Sequence, residues 1–225
     1  MRSHYWESRQ SLTPQLALQY LREGNERFIS NLRINRNLLQ LVNETAEKQF
    51  PFATILSCSD SRVSTELIFD QGLGDIFSIR LAGNIATGNA IGSMEYACKV
   101  LGSKLIVVMG HTNCGAIKGA CDGIQLDNLN SILDHIRPAI SAETDTSFDR
   151  TSKNKKFVEN VTWLNVQHNI NTLLQTSPII CDLLLAGEIG LVGAMYDVET
   201  GRAEFIQNDN ARQITHERYA YQYKV

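Results

Sequence analysis

Apolar residues along this chain fall into two rhythms. Three short runs, Ala53 to Leu56, Ile76 to Ile79 and Leu105 to Met109, are rich in branched side chains and bounded by Gly, Asp or Asn, the pattern of strands. Between them, Val63 to Phe69 and Ala90 to Leu101 space their apolar residues at helical intervals, the second through Ile91, Met94, Ala97, Cys98 and Leu101. Helical spacing resumes from Ala116 to about Cys121, from Leu129 to Ile140 and from Phe157 to about Gln175. GLVGAMYDVETGRAEFI then reads as two strands joined by a turn at Glu199, Thr200 and Gly201. Strands alternating with helices in this way predict an α/β fold with a mainly parallel β-sheet flanked by helices.

Upstream, Thr13 followed by Pro14 is a helix start, with Thr as N-cap and Pro in the first turn. Leu16, Leu18, Leu21 and Phe28 extend it into an N-terminal helical arm over about 11–31 that packs on the core. The stretch SAETDTSFDRTSKNKK is polar and aperiodic. It predicts an exposed loop and not a domain linker, because too little chain follows to bury a second core. The expectation is a single domain over 1–225, without internal repeats.

Composition narrows the partners. The chain is 43% hydrophobic and 20% charged, with a formal net charge of -3, and its 21 Lys plus Arg are outnumbered by 24 Asp plus Glu. A nucleic-acid partner needs a basic face, so a small-molecule substrate fits better. No apolar stretch approaches membrane-spanning length, and the start MRSHYWESRQ lacks the apolar segment of a signal peptide. As written, the chain reads as cytoplasmic; a removed leader would make it periplasmic or organellar. Five cysteines without regular spacing point to reduced thiols or metal ligands and away from a disulfide framework.

The chemistry gathers where two strands end. The first runs into Cys58, Asp60 and Arg62, groups that are costly to bury unpaired. The third runs into Gly110, His111, Thr112, Asn113, Cys114 and Gly115, so an imidazole and a thiolate three apart can converge on one ion. Binding residues of an open parallel sheet gather beyond the carboxyl ends of its strands, which places Cys58 with His111 and Cys114. Two thiolates and one imidazole suit zinc, and three protein ligands leave a fourth position open, as in catalytic sites. Cys98, Cys121 and Cys181 read as small buried hydrophobes. Taken alone, Asp60 and Arg62 also fit an ordinary surface ion pair. A nucleophilic Cys58, as in cysteine-dependent phosphatases, would want an arginine six positions on, where Ser64 stands.

Cys58-Ser-Asp60-Ser-Arg62 and His111-Thr-Asn-Cys114, together with RLAGNIA, GSMEYA and LIVVMGH, resemble the β-class carbonic anhydrases, closely over about Pro51 to Ala120 and loosely beyond. The resemblance implies one Zn2+ per chain on Cys58, His111 and Cys114, and reversible hydration of carbon dioxide to bicarbonate and a proton by a zinc-bound hydroxide. Asp60, kept ionised by Arg62, would be a pure acceptor that holds the hydroxide proton. A homodimer or homotetramer is implied, because Gln49 and Tyr96 resemble the polar residues that the plant-like branch lends to a neighbouring subunit's pocket. Phe77 and Ala82 match apolar pocket positions, the second usually Val in that branch, and Gly115 would offer its backbone N–H to bicarbonate.

The family has an open arrangement, with Asp60 paired to Arg62, and a closed one, with Asp60 as fourth metal ligand. The pH-gated branch carries a Trp three residues before the first cysteine, where this chain has Ile55, although Arg80 matches another residue of its regulatory pocket. Ile55 and Gln49 therefore point to the plant-like branch and the open form. A hydrolase acting on a sulfur analogue of carbon dioxide and a zinc-stabilised binding module are the alternative functions. His4, His135, His168 and His216 can titrate near neutrality, but none falls beside the motifs.

Overall fold

Strand β1 (Ala53–Ser57) lies between β2 (Ile76–Arg80) and β3 (Leu105–His111), and β4 (Gly190–Tyr196) and β5 (Ala203–Gln207) complete one five-stranded sheet in the order β2-β1-β3-β4-β5. This is a computed structural model and describes residues 11–207. β1 to β4 pair in parallel, with Ser57 opposite both Arg80 and Met109, and β5 returns antiparallel along β4. The helices are α1 (Pro14–Ile29), α2 (Leu38–Thr45), α3 (Thr65–Ile68), α4 (Gly88–Lys99), α5 (Gly115–Cys121), α6 (Leu129–Ala142), α7 (Lys155–Thr176) and α8 (Pro178–Leu185). The α/β class, the single domain and the mainly parallel sheet are as expected.

Both faces of the sheet are covered, which is why β1 and β3 are buried along their whole length and read as continuous apolar runs. Ile55, Leu105, Val107 and Met109 point to the side of α1 and α3, while Leu56, Ile106 and Val108 point to the side of α4, α7 and α8. Each such fully buried side chain contributes about 1.5–3 kcal/mol of transfer free energy. The arm α1 starts as predicted, with the Thr13 hydroxyl accepting from Leu16 N at 3.2 Å. It buries Ala17, Leu21, Gly24 and Asn25, one stripe at helical spacing. Gly24 is required there, since a Cβ would stand 1.8 Å from the Phe69 carbonyl oxygen. Asn25 then ties the arm to the core, donating to the carbonyls of Ile68 and Gly201 and accepting from Ala203 N.

Three elements differ from expectation. The helix predicted over Val63 to Phe69 shrinks to the single turn α3, because Ser64 makes no side-chain cap bond and Asp70 turns left-handed at φ 44°. Helix α2 was not anticipated, although Asn37 caps it through Gln40 N; it buries none of its residues, so no core stripe announces it. Helix α8 opens on Ser177-Pro178, the same start signal as Thr13-Pro14. The turn after β4 falls where predicted, with Gly201 at φ 75° and the Asp197 carboxylate accepting from Glu199 N and the Thr200 hydroxyl.

Candidate metal centre

The strand order reverses direction at β1: the chain leaves β1 for β2 on one side and returns to β3 on the other. Such a switch point opens a crevice beyond the carboxyl ends of the two strands. Cys58 is the first residue after β1 and His111 is the last residue of β3. Asn113, left-handed at φ 58°, turns the chain so that Cys114 caps α5 beside them. The ligand atoms of Cys58, His111 and Cys114 lie within 4.8 Å of one another, and all three residues are buried. The two sulfurs are 3.9 Å apart.

Each donor is aimed by its surroundings. The Thr112 carbonyl can only accept, so His111 Nδ1 donates to it at 2.9 Å and Nε2 is left to face the cysteines. Nε2 is buried and has no hydrogen-bond partner, an orphan that a metal ion would satisfy. Thr112 is itself fixed, its N–H on the Tyr196 carbonyl and its hydroxyl on Asp197. The Cys58 sulfur accepts from Asp60 N and Gly83 N, both at 3.4 Å. The Cys114 thiol, then His111 and these two amides, hold the Cys58 thiol well below its ordinary pKa against the cost of burial. Its partner Cys114 is pushed up by that same sharing with Cys58 and by burial. The two thiols thus lose their protons unequally, and metal binding at such a pair is coupled to the release of both.

Asp60 stands over this group. Its carboxylate accepts from Arg62 Nε at 2.9 Å, Arg62 Nη2 at 2.7 Å and Arg62 N at 3.0 Å, and its Oδ2 is 4.0 Å from His111 Nε2. The Arg62 guanidinium holds the Asp60 carboxyl well below the usual carboxylate range. Arg62 also donates to the Asn113 carbonyl at 3.3 Å, which links the two ligand loops. Arg80 clamps the first loop from below, donating to the carbonyls of Cys58 at 3.3 Å and Asp60 at 2.7 Å.

The remaining site residues divide. Phe77 and Ala82 are half-buried and Gly115 is exposed at the start of α5. Gln49 and Tyr96 instead line a separate open cleft of about 610 Å³ with Phe50, Val100 and Leu101. None of the three metal-capable residues lines it, and Tyr96 is 47% exposed there. Phe77 adjoins that cleft, its ring 6.3 Å from that of Tyr96. Cys98 and Cys181 are buried as expected, and Cys121 is half-buried against α6. His135 is exposed on α6, His168 is half-buried on α7, and His4 and His216 lie outside the described residues. Sequence reasoning missed the Gly83 N–H; its signal is the RLAGNIA turn, where Gly83 adopts φ 72°.

A buried Cys-His-Cys group at the switch point of a parallel sheet defines an α/β protein with a metal-capable site. Residues 53–203 match the family model described as Carbonic anhydrase. Over 198 residues the chain is 34% identical to Carbonic anhydrase 2 of Mycobacterium tuberculosis, across 84% of this chain and 91% of that one. The chain therefore belongs to the carbonic anhydrase family, in its β class, and its reaction is the hydration of carbon dioxide. Among solved structures, a β-carbonic anhydrase of Aspergillus fumigatus shares the fold at a TM-score of 0.71 and 24% identity, over 81% of this chain and 88% of that one. One of two tetrameric β-carbonic anhydrases from Sordaria macrospora matches at 0.63 and 26%, over 90% and 95%.

Proposed function

We propose that Cys58, His111 and Cys114 hold one zinc ion per chain and that Asp60 and Arg62 orient the attacking oxygen. The observation that carries this is the convergence of three buried soft donors around an otherwise unpartnered His111 Nε2. Two sulfurs and an imidazole are a donor set that zinc favours over oxygen-seeking cations. When bound, zinc supplies Lewis acidity, which lowers the pKa of water toward the neutral range and so provides a nucleophile for carbon dioxide.

The protein residues do the rest. Asp60, ionised and engaged on Arg62, has only acceptor capacity, so its Oδ2 would accept a hydrogen bond from the attacking oxygen and turn a lone pair of that oxygen toward carbon. Arg62 keeps that carboxylate in place through a two-pronged bond. Phe77 and Ala82 give the substrate an apolar wall, and the Gly115 N–H donates to a bicarbonate oxygen.

The Asp60–Arg62 pairing favours the open arrangement and the plant-like branch. Ile55 is fully buried in the core and has no side-chain N–H to give a regulatory bicarbonate, and Arg80 directs two of its donors to backbone carbonyls. Gln49 and Tyr96 serve the neighbouring subunit of a homodimer or homotetramer. Leu38, Leu39 and Val42 of α2, with Val100, are between 48% and 77% exposed, an apolar surface that a second copy would cover. Among the described residues no helix is long and apolar enough to cross a membrane.

Stopped-flow carbon dioxide hydration on protein of measured zinc content tests this reading. One zinc per chain with activity that persists smoothly below about pH 8 and non-cooperative competition by bicarbonate is expected. Full zinc without hydration would favour a binding module, and turnover of a sulfur analogue alone would favour the hydrolase. An Asp60 oxygen at about 2.0–2.2 Å from zinc near neutral pH would overturn the open arrangement.

A further inference from the structure

Helix α7 carries Thr162, Asn165 and Asn169 among its buried residues, each no more than 2% exposed. Buried amides are costly unless their hydrogen bonds are made, so where these two reach is informative. Thr162 closes on its own helix, donating to the Val158 carbonyl at 2.6 Å. The two asparagines, four apart and so on one face, leave the helix. Asn165 Nδ2 donates to the Gly83 carbonyl at 2.9 Å, and Asn169 Oδ1 accepts from Ala86 N at 2.6 Å. Asn169 Nδ2 donates back to Asn165 O at 2.7 Å, which fixes the orientation of its amide.

The segment they hold belongs to no strand. Gly83 and Asn84 are both left-handed, at φ 72° and 46°, so no sheet ladder sets the direction of these peptides. Gly83, held through its carbonyl by Asn165, is the residue whose N–H lies on the Cys58 sulfur at 3.4 Å. The depth of α7 is set independently by Gly110 and Gly193. A Cβ at Gly110 would meet Val166 Cγ2 at 2.8 Å and one at Gly193 would meet Val166 Cγ1 at 3.1 Å. Gly110 immediately precedes His111, so α7 is registered against both ligand-bearing segments.

We infer that Asn165 and Asn169 are positioning residues of the metal centre, holding the Gly83–Ala86 turn so that the Gly83 N–H stays on the Cys58 thiolate. This rests on the reading of Cys58, His111 and Cys114 as metal ligands. An N–H on a ligand sulfur draws charge away from it and weakens its donation to the cation, which matters where two of three ligands are thiolates.

The test uses the whole protein loaded with cobalt(II), whose thiolate-to-metal absorption reports charge on sulfur, and with zinc, whose release to a chelator is timed. Asn165→Leu keeps the volume and removes the bond. Its thiolate-to-cobalt band should move to lower energy, because the freed sulfur carries more charge, and zinc release should nonetheless quicken roughly 10-fold, because Cys58 is no longer held in place and the loss of positioning outweighs the stronger donation. Leu173→Ala, a buried residue of the same helix on the α4 and α8 side, should lower the melting temperature while leaving band and release unchanged. If Asn165→Leu does not fold, Asn169→Ser carries the same expectation with a smaller change. A band and release rate equal to wild type, or equal to those of Leu173→Ala, would overturn the inference and leave the asparagines as plugs for the turn's backbone. Wild-type protein that takes up neither cobalt nor zinc would overturn the metal reading itself, and is recognised before any variant is made.

Discussion

Replacing Asp60 with Asn exchanges one carboxylate oxygen for an amide at nearly constant volume, so it isolates a charge and an acceptor. In the native site the two carboxylate oxygens take Arg62 Nε at 2.9 Å and Nη2 at 2.7 Å. An amide nitrogen in either place sets donor against donor, and the two-pronged bond opens. The stability cost is small, because the Arg62 and Asp60 side chains are 49% and 17% exposed, and pairs so open to water contribute about 0–1 kcal/mol. That is a shift of a few degrees in Tm at most for a chain of this size, roughly 2–4 °C per kcal/mol. The effect on turnover is of another order. A group placed to handle a proton in the transition state contributes about 10²- to 10⁴-fold, or roughly 3–5 kcal/mol. Stopped-flow measurement of kcat/KM, with zinc content and Tm on the same preparation, separates the two. Arg62→Lys keeps the charge without the fork and should fall between wild type and Asp60→Asn. The reasoning fails if Asp60→Asn binds one zinc per chain and stays within about threefold of wild type, less than 1 kcal/mol.

Cys114→Ser should lose metal and activity together; a variant that retains one zinc per chain by atomic absorption would refute the ligand assignment. Gly110→Ala brings a methyl to 2.8 Å from Val166 and 3.0 Å from Met195 Sδ, and should destabilise by about 1–3 kcal/mol in urea titrations; an unchanged midpoint would show that α7 can retreat. Burial raises the pKa of Asp70, but hydrogen bonds from Arg27, Arg36 and Ile34 N bring it below its ordinary value. The stability from this group is therefore fully present above the unfolded value of about 3.9 and lost as pH falls through the lower folded pKa, so Asp70→Asn should flatten the acid side of the stability curve; parallel wild-type and variant curves would contradict this. If Gln49 and Tyr96 serve a partner's site, specific activity should fall on dilution into monomers, and a fully active monomer in sedimentation would refute the shared site.

How much was readable before the fold was known depends on whether a residue works through its type or its position. Cys58, His111 and Cys114 are legible because soft ligands at strand ends are chemically conspicuous, and the apolar runs of β1 and β3 announce strands buried on both faces. Asn165 and Asn169 are not conspicuous. They sit inside α7, whose apolar and polar residues alternate around the whole helix, and only the position of Gly83 explains them. Helix α2 escaped for the opposite reason: its Leu38, Leu39 and Val42 face away from the chain's own core, so no burial pattern within one chain marks it. The shortness of α3 followed from the turn at Asp70, whose carboxylate gathers two arginines from 34 and 43 residues away, a tertiary cause that local spacing does not carry.

The switch point also governs when this protein can acquire its metal. Cys58 and Cys114 are 56 positions apart, and they meet only after β3 has docked along β1. A nascent chain that has emerged as far as β2 presents Cys58 without His111 or Cys114. Metal cannot template the early sheet; it can only be captured by one already three strands wide. Loading is a late event in the life of the polypeptide, and a chelator added during refolding should leave the rate of sheet formation unchanged while stripping the finished protein of its cation.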